Sequence, residues 1–144
     1  MNRVAMVMVA AVMMSNTLWA ADLPAALVTP YLQVQTALAG DQMTGLSTHA
    51  QAIATAATTL GQGAEKIAAS AKKLGEAKDI AAARTAFGEL SVAITEYAQA
   101  TKSGFGPDVK LAYCPMADKP WLQKEKDIRN PYYGASMLTC GSFK

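Results

Sequence analysis

The sequence has 144 residues, 51% of them hydrophobic, and a formal charge of only +2. A chain of this length is expected to form one domain around one core. With basic and acidic residues so nearly balanced, neither nucleic acid nor an anionic membrane surface is indicated as a partner.

The first twenty residues are predicted to be a signal peptide. Arg3 precedes an uncharged run from Val4 to Ala21, which is the order of a charged n-region and an apolar h-region. We expect cleavage after Ala20 and a periplasmic or secreted mature protein. The run is near the lower limit of the roughly 20 residues that a bilayer span needs, so no stable membrane insertion is expected after cleavage.

Residues 22–103 are rich in alanine and predict a helical bundle, because alanine has the highest helix propensity. The first helix is expected to begin at Pro30 with Thr29 as its cap, since proline is tolerated in the first turn of a helix and not in its interior. A second helix is expected after Asp41. Its apolar stripe is Leu46, Ala50, Ile53, Ala57 and Leu60, and Gly61 follows it.

Two further helices complete the predicted bundle. The third is short, runs from Ala64 to Leu74 and stops before Gly75. The fourth is capped by Asp79. Its stripe is Ile80, Ala83, Phe87, Leu90, Ile94 and Tyr97. Short linkers between the four helices favour antiparallel neighbours, so the predicted class is all-α, an up-and-down four-helix bundle.

The character of the chain changes in residues 104–144. Alanine becomes scarce, prolines and aromatic residues become frequent, and the helical period is lost. We expect an irregular C-terminal wrap that packs on the bundle within the same domain and has room for a short strand or hairpin. Trp121, Leu122, Ile128 and Leu138 are its predicted apolar anchors.

Four of the five sulfur side chains of the mature chain lie in this wrap. They are Cys114, Met116, Met137 and Cys140. Thiolate and thioether donors select soft ions, chiefly Cu(I), so these four residues are candidate ligands of Cu(I) or another soft metal ion. The single histidine, His49, is an additional candidate ligand, although an isolated helical histidine is commonly a bystander.

Two other states of the cysteines are open. Cys114 and Cys140 could form a disulfide, which an oxidising compartment allows and which would hold the wrap in place, or they could be unpaired thiols. The sequence contains no local nucleophile and base motif, so an enzyme is not expected.

The wrap also carries a recognisable motif. Its parts are Tyr113-Cys114-Pro115-Met116, Trp121-Leu122, Ile128-Arg129-Asn130-Pro131-Tyr132-Tyr133-Gly134 and Met137-Leu138-Thr139-Cys140-Gly141. In this motif and in its helical pattern, the chain resembles a family of exported bacterial domains of unknown function. Members of that family also occur attached to periplasmic adaptor subunits of copper- and silver-type heavy-metal efflux pumps. The resemblance implies metal handling, with an efflux adaptor or another periplasmic protein as partner.

The Cys-Pro-Met string is also similar to the motif of short heavy-metal-binding domains, except that Ala117 stands where those domains commonly have histidine. Within the longer motif, Trp121, Arg129, Asn130, Pro131, Tyr132 and Gly134 are predicted to have structural roles. Arg129 is expected to donate to carbonyl groups of the wrap. The leading hypothesis is therefore a periplasmic soft-metal-binding or metal-efflux accessory protein. The alternative is a disulfide-stapled interaction module without metal, whose partner surface would include Trp121, Tyr132 and Tyr133.

Overall fold

The computed structural model describes residues 21–144, and the expected signal peptide, residues 1–20, lies outside this range. The described residues form four helices, three short strands and one 3-10 turn. The helices are α1 (Ala25–Ala39), α2 (Leu46–Thr58), α3 (Glu65–Glu76) and α4 (Ile80–Thr101), and the strands are β1 (Lys110–Cys114), β2 (Lys119–Gln123) and β3 (Ser142–Phe143), with the 3-10 turn at Gly134–Ser136. None of the helices in residues 21–144 has the length and apolarity that a membrane span requires.

Helix α1 begins at Ala25, so the predicted start at Pro30 is wrong. Pro30 lies inside the helix, where it cannot donate a hydrogen bond to the preceding turn, and Thr29 is an interior residue instead of a cap. The earlier start buries Leu27 and Val28 in the core. Burial of two such side chains contributes roughly 1.5–3 kcal/mol each, which offsets the roughly 3 kcal/mol that an interior proline costs.

The predicted cap of α4 is confirmed, whereas the predicted end of α3 is wrong. Asp79 accepts a hydrogen bond from the backbone N–H of Ala82 at 2.8 Å. Gly75 lies within α3 instead of after it. A Cβ at Gly75 would be 3.4 Å from the Cβ of Ala50 on α2, so the missing side chain allows these two helices to pack closely.

Each helix packs against the next one in the chain. Between α3 and α4, Lys66 pairs with Glu96 at 3.2 Å and Lys73 pairs with Glu89 at 2.8 Å. Because the earlier residue of α3 meets the later residue of α4, these two helices run antiparallel. The described residues therefore form a helical bundle, as predicted.

The all-α class is wrong, because residues 110–143 contain a three-stranded antiparallel sheet with the strand order β2-β1-β3. Strands β1 and β2 form a hairpin in which Cys114 is paired with Lys119. The short strand β3 lies on the other side of β1, where Ser142 is paired with Tyr113. The wrap is therefore mostly ordered around a small sheet.

Strand β2 packs against both α1 and α4. Trp121 and Leu122 of β2 are buried there. The hydroxyl of Tyr31 on α1 accepts the backbone N–H of Leu122 at 3.1 Å and lies 2.6 Å from the hydroxyl of Ser91 on α4. The ring of Tyr31 stacks on Phe87 with centroids 4.9 Å apart. One continuous core thus joins the helices to the sheet.

Candidate functional site

Cys114 is the last residue of β1 and is completely buried. Its Sγ accepts the backbone N–H of Ala117 at 3.4 Å, across the turn that connects β1 to β2. The backbone of Cys114 is therefore held by strand pairing, and its sulfur is held by a hydrogen bond from the turn.

Cys140 is half-buried and packs against the same core that contains Cys114. Continuing the pairing of β1 with β3 places Gly141 opposite Cys114, one residue after Cys140. Burial raises the pKa of the Cys140 thiol, and Cys114 raises that pKa further through its charge and a side-chain hydrogen bond. Both cysteines are free thiols in the structure. Two cysteines that are 26 positions apart in the sequence are thus brought into one part of the fold.

The two methionines of the wrap lie toward solvent. Met116 is in the β1–β2 turn and is 63% exposed, and Met137 directly precedes the Cys140 segment and is 37% exposed. Among residues 21–144, only these two methionines and Phe143 are exposed large apolar side chains. The carbonyl of Met137 accepts the N–H of Cys140 at 3.0 Å. The structure therefore places both thioethers in segments next to the thiols and on the outside of the molecule.

His49 is not part of this arrangement. It lies on α2, where its imidazole Nε2 would be 3.2 Å from a Cβ at Gly45, and α2 packs on α1 and α3 instead of on the sheet. Within the described part of the chain, no three His, Cys, Asp or Glu side chains form a group that could hold a metal ion. The candidate donor set is thus the thiol pair with the nearby methionines.

Asn130 holds the segment that carries Met137 and Cys140. It is completely buried. Its backbone N–H donates to the carbonyl of Leu138 and its side-chain Nδ2 donates to the carbonyl of Cys140, each at 2.7 Å. Its Oδ1 accepts the N–H of Tyr132 at 2.8 Å. The loop from residue 130 to residue 140 is therefore closed by a single side chain and its backbone.

Arg129 does not have the predicted role. Its backbone N–H donates to Gln123 Oε1 at 3.0 Å, and its carbonyl accepts from Gln35 Nε2 at 2.9 Å. The carbonyl-binding guanidinium belongs to Arg84 of α4, which donates to the carbonyls of Pro131 and Leu38 at 2.9 Å each. The backbone of Arg129 is thus bound by two fully buried glutamines, Gln35 and Gln123, and the role expected for its guanidinium belongs to Arg84.

Arg84 also forms an ion pair with Asp41 at 2.6 Å. The other carboxylate oxygen of Asp41 accepts the N–H of Ala135 at 3.0 Å. These hydrogen bonds, from Ala135 first and then from Arg84, lower the pKa of Asp41. A Cβ at Gly134 would collide with both charged side chains, and its φ is +55°. The pair was not identified from the sequence, because its partners are 43 residues apart and form no local motif.

The aromatic residues of the motif are mostly core residues. Trp121 is completely buried and Tyr132 is 8% exposed. Their rings meet edge to face with centroids 6.0 Å apart, and Tyr132 also contacts Phe87 at 6.0 Å. The expected partner surface of Trp121, Tyr132 and Tyr133 is therefore wrong, because two of its three members face inward. Only Tyr133 is partly exposed.

The fold and the site define a helical bundle with a C-terminal sheet region that carries two cysteines, one at the end of β1 and one just before β3. A family model described as "Protein of unknown function (DUF3347)" matches residues 27–105, which is more than half of the chain. The chain belongs to this family. The matched residues comprise most of the helical bundle and end before β1, so both cysteines lie beyond them. No curated protein and no solved structure matches the chain.

Proposed function

We propose that the protein binds a soft metal ion, of the Cu(I) or Ag(I) type, through Cys114 and Cys140. The observation that supports the proposal is the juxtaposition of two free cysteines, one completely buried and one half-buried, which the pairing of β1 with β3 brings into one part of the fold. Thiolates are the ligands that Cu(I) prefers. We propose a binding protein and not an enzyme.

The donor set fits a soft monovalent ion better than zinc. A structural zinc site requires four Cys, His or carboxylate ligands in a tetrahedron, and residues 21–144 bring no third residue of these types to the thiols. Cu(I) is satisfied by fewer ligands and also accepts thioether sulfur. Met137 and Met116 would assist, because both are exposed and each lies within three residues of a cysteine in the sequence.

The cellular setting is also part of the proposal. The resemblance of the cysteine-containing motif to domains attached to efflux adaptors supports a periplasmic protein that serves heavy-metal efflux. A metal efflux adaptor is then the proposed partner. The half-buried Cys140 would be the ligand at which an ion enters or leaves, since Cys114 has no contact with solvent.

Competition with a chromogenic Cu(I) chelator tests the proposal. Reduced protein, kept free of oxygen, should withdraw one Cu(I) per chain from the chelator, and a Cys114→Ser, Cys140→Ser double variant should not. Met137→Leu should weaken binding, whereas Met43→Leu is the matched control because Met43 packs on the bundle core. Equal competition by the native protein and the double-serine variant would remove the proposal.

The shared location of the two cysteines also favours a second candidate function, a disulfide-stapled interaction module. A Cys114–Cys140 bond would close a loop of 27 residues and stabilise the fold by roughly 3.5 kcal/mol on the chain-entropy estimate. Counting free thiols in protein taken directly from the periplasm separates the two functions. Two free thiols per chain support metal binding, and none supports the staple.

A further inference from the structure

We infer that Asn130 is the positioning residue of the thiol pair, setting the effective concentration of Cys140 at Cys114. The inference deepens the proposed function, and its test by Cu(I) competition rests on that function. Its test by thiol–disulfide equilibrium rests on the geometry alone.

The first step is the anchoring of the chain around Asn130 to the bundle. Gln35 of α1 holds the peptide before Asn130 through the carbonyl of Arg129, and Arg84 of α4 holds the peptide after Pro131 through the carbonyl of Pro131, each at 2.9 Å. Asn130 itself is fully buried between them. Its backbone position is therefore determined by α1 and α4.

The second step is the transfer of that position to Cys140. Asn130 reaches the carbonyls of Leu138 and Cys140 with its backbone N–H and its amide Nδ2, both at 2.7 Å. The orientation of the amide is unambiguous, because the carbonyl of Cys140 can only accept and the N–H of Tyr132, bound at Oδ1, can only donate. Asn130 thus fixes the peptide of Cys140 from the bundle side.

The third step is the local character of the other restraints on Cys140. Its backbone N–H donates to the carbonyl of Met137, three residues earlier in the same loop, at 3.0 Å. Strand β3, which follows it, pairs with β1 at only two positions, Ser142 and Phe143. The 3-10 turn before it ends in the exposed Met137. Without the amide of Asn130, the Cys140 thiol would sample positions away from Cys114, whose own place is fixed by β1.

Equilibration with a glutathione redox buffer measures this effect directly. Cys114 and Cys140 lose two electrons and two protons and form one S–S bond, while one oxidised glutathione gains them and becomes two reduced molecules. The equilibrium constant of this exchange is the effective concentration of the two thiols. Asn130→Asp keeps the acceptor for Tyr132 and replaces the donor to Cys140 with a second acceptor. We expect the effective concentration to fall by at least about tenfold, the factor for losing one buried hydrogen bond.

Tyr31→Phe is the matched control, since it removes a buried hydrogen bond at β2 and leaves residues 130–140 intact. We expect its effective thiol concentration to stay within about twofold of native, so a structural loss alone cannot reproduce the result. Asn130→Ser, which shortens the side chain without adding charge, carries the test if Asn130→Asp does not fold. A native-like effective thiol concentration in a folded Asn130 variant would overturn the inference. An equal loss of effective thiol concentration in the Tyr31→Phe control would also overturn it.

Cu(I) competition with the same variants keeps the two proposals apart. A lower thiol effective concentration together with weaker Cu(I) binding supports both. A lower effective concentration in a protein whose native form does not compete for Cu(I) leaves the role of Asn130 standing and removes the metal function.

Discussion

The hydroxyl of Tyr31 and the backbone N–H of Leu122 are 91 residues apart in the sequence and form a buried hydrogen bond of 3.1 Å. This bond joins α1 to β2, an edge strand of the C-terminal sheet. The same hydroxyl contacts Ser91 on the last helix, so three parts of the chain meet at one oxygen. Burial raises the pKa of Tyr31 above its ordinary value, which keeps the hydroxyl protonated.

Replacing Tyr31 with phenylalanine should destabilise the protein by about 1–3 kcal/mol, because the N–H of Leu122 is left buried without an acceptor. Urea unfolding monitored by circular dichroism measures the change. Tyr97→Phe is the control, since Tyr97 is half-buried and donates to the carbonyl of Leu60 at 3.0 Å near the surface. Its cost should be smaller, because water can replace the lost partner. Equal costs for the two variants would contradict the assignment.

The ion pair of Asp41 predicts a loss of stability in acid. The pKa of Asp41 is lower in the folded protein than the ordinary value of about 3.9. A group of this kind contributes its full stability above the unfolded pKa and loses it as the pH falls through the folded pKa. Unfolding measured between about pH 2 and pH 6 should therefore show a steeper acid limb for native protein than for Asp41→Asn.

Asp108→Asn is a matched control for that measurement. Asp108 is exposed and has a φ of +62°, close to the +57° of Asp41, so both substitutions place asparagine in the same left-handed conformation. The acid limb of Asp108→Asn should follow that of native protein. An unchanged acid limb in Asp41→Asn would show that the contacts of Asp41 with Arg84 and Ala135 do not depend on its charge.

Gly141 should tolerate substitution far less than Gly106. Both glycines have a positive φ, +136° and +102°, so alanine is strained at either position. At Gly106 no atom lies within 4 Å of the added Cβ, whereas at Gly141 the Cβ would be 2.7 Å from Trp121 and 2.9 Å from the carbonyl of Tyr113.

Gly106→Ala should therefore cost only the backbone strain, about 1–2 kcal/mol. Gly141→Ala should cost more and should separate β3 from β1, with increased amide hydrogen exchange at Ser142 and Phe143. Thermal or urea unfolding of both variants checks the ranking. Equal stabilities would mean that β3 does not lie against Trp121 in solution.

Alkylation of Cys140 should require a higher pH than alkylation of an ordinary cysteine. The thiolate is the reactive form, and burial, followed by the neighbouring Cys114, raises the pKa of Cys140. The rate of reaction with iodoacetamide, followed by mass spectrometry, should therefore have its midpoint above about 8.5. Cys114→Ser should lower this midpoint, because the charge of Cys114 is removed. A midpoint at or below that of a cysteine-containing peptide would contradict the placement of Cys140.

The sequence predicts helix α4 well because its signals are local. Asp79 caps the helix, and its buried residues follow the helical period from Ala83 to Ile94. The start of α1 is predicted wrongly because the rule for Pro30 is also local, whereas the burial of Leu27 depends on the rest of the molecule. Local rules thus succeed where tertiary packing agrees with them.

The sequence leaves room for a short strand or hairpin in the wrap, but the position of β2 is hidden from sequence patterns for a similar reason. Trp121, Leu122 and Gln123 are buried in succession, so β2 lacks the alternation of apolar and polar residues that marks a half-exposed strand. Strand β2 packs against α1 and α4, and the side chain of Gln123 is hydrogen-bonded to the backbone of the loop at Glu125, Asp127 and Arg129. Nothing short of the three-dimensional arrangement predicts that.

The candidate site also has features that the sequence shows and features that depend on the fold. The clustering of sulfur around Cys114 and Cys140 is visible in the sequence and indicates the candidate donors. The residues that bring them together were not predictable in detail, since Asn130 acts on residues eight and ten positions away and Arg84 acts on a partner 43 residues away. Their roles depend on which loops the bundle places beside them.

The position of β2 between α1 and α4 has a consequence for how much of the chain folds together. The family match ends at residue 105, yet the aromatic pair of Tyr31 and Phe87 is covered by residues that follow it. A polypeptide cut at that boundary would expose this pair to water and lose the hydrogen bond from the N–H of Leu122 to Tyr31. We therefore expect the cooperative folding unit to extend beyond the residues that the family model matches.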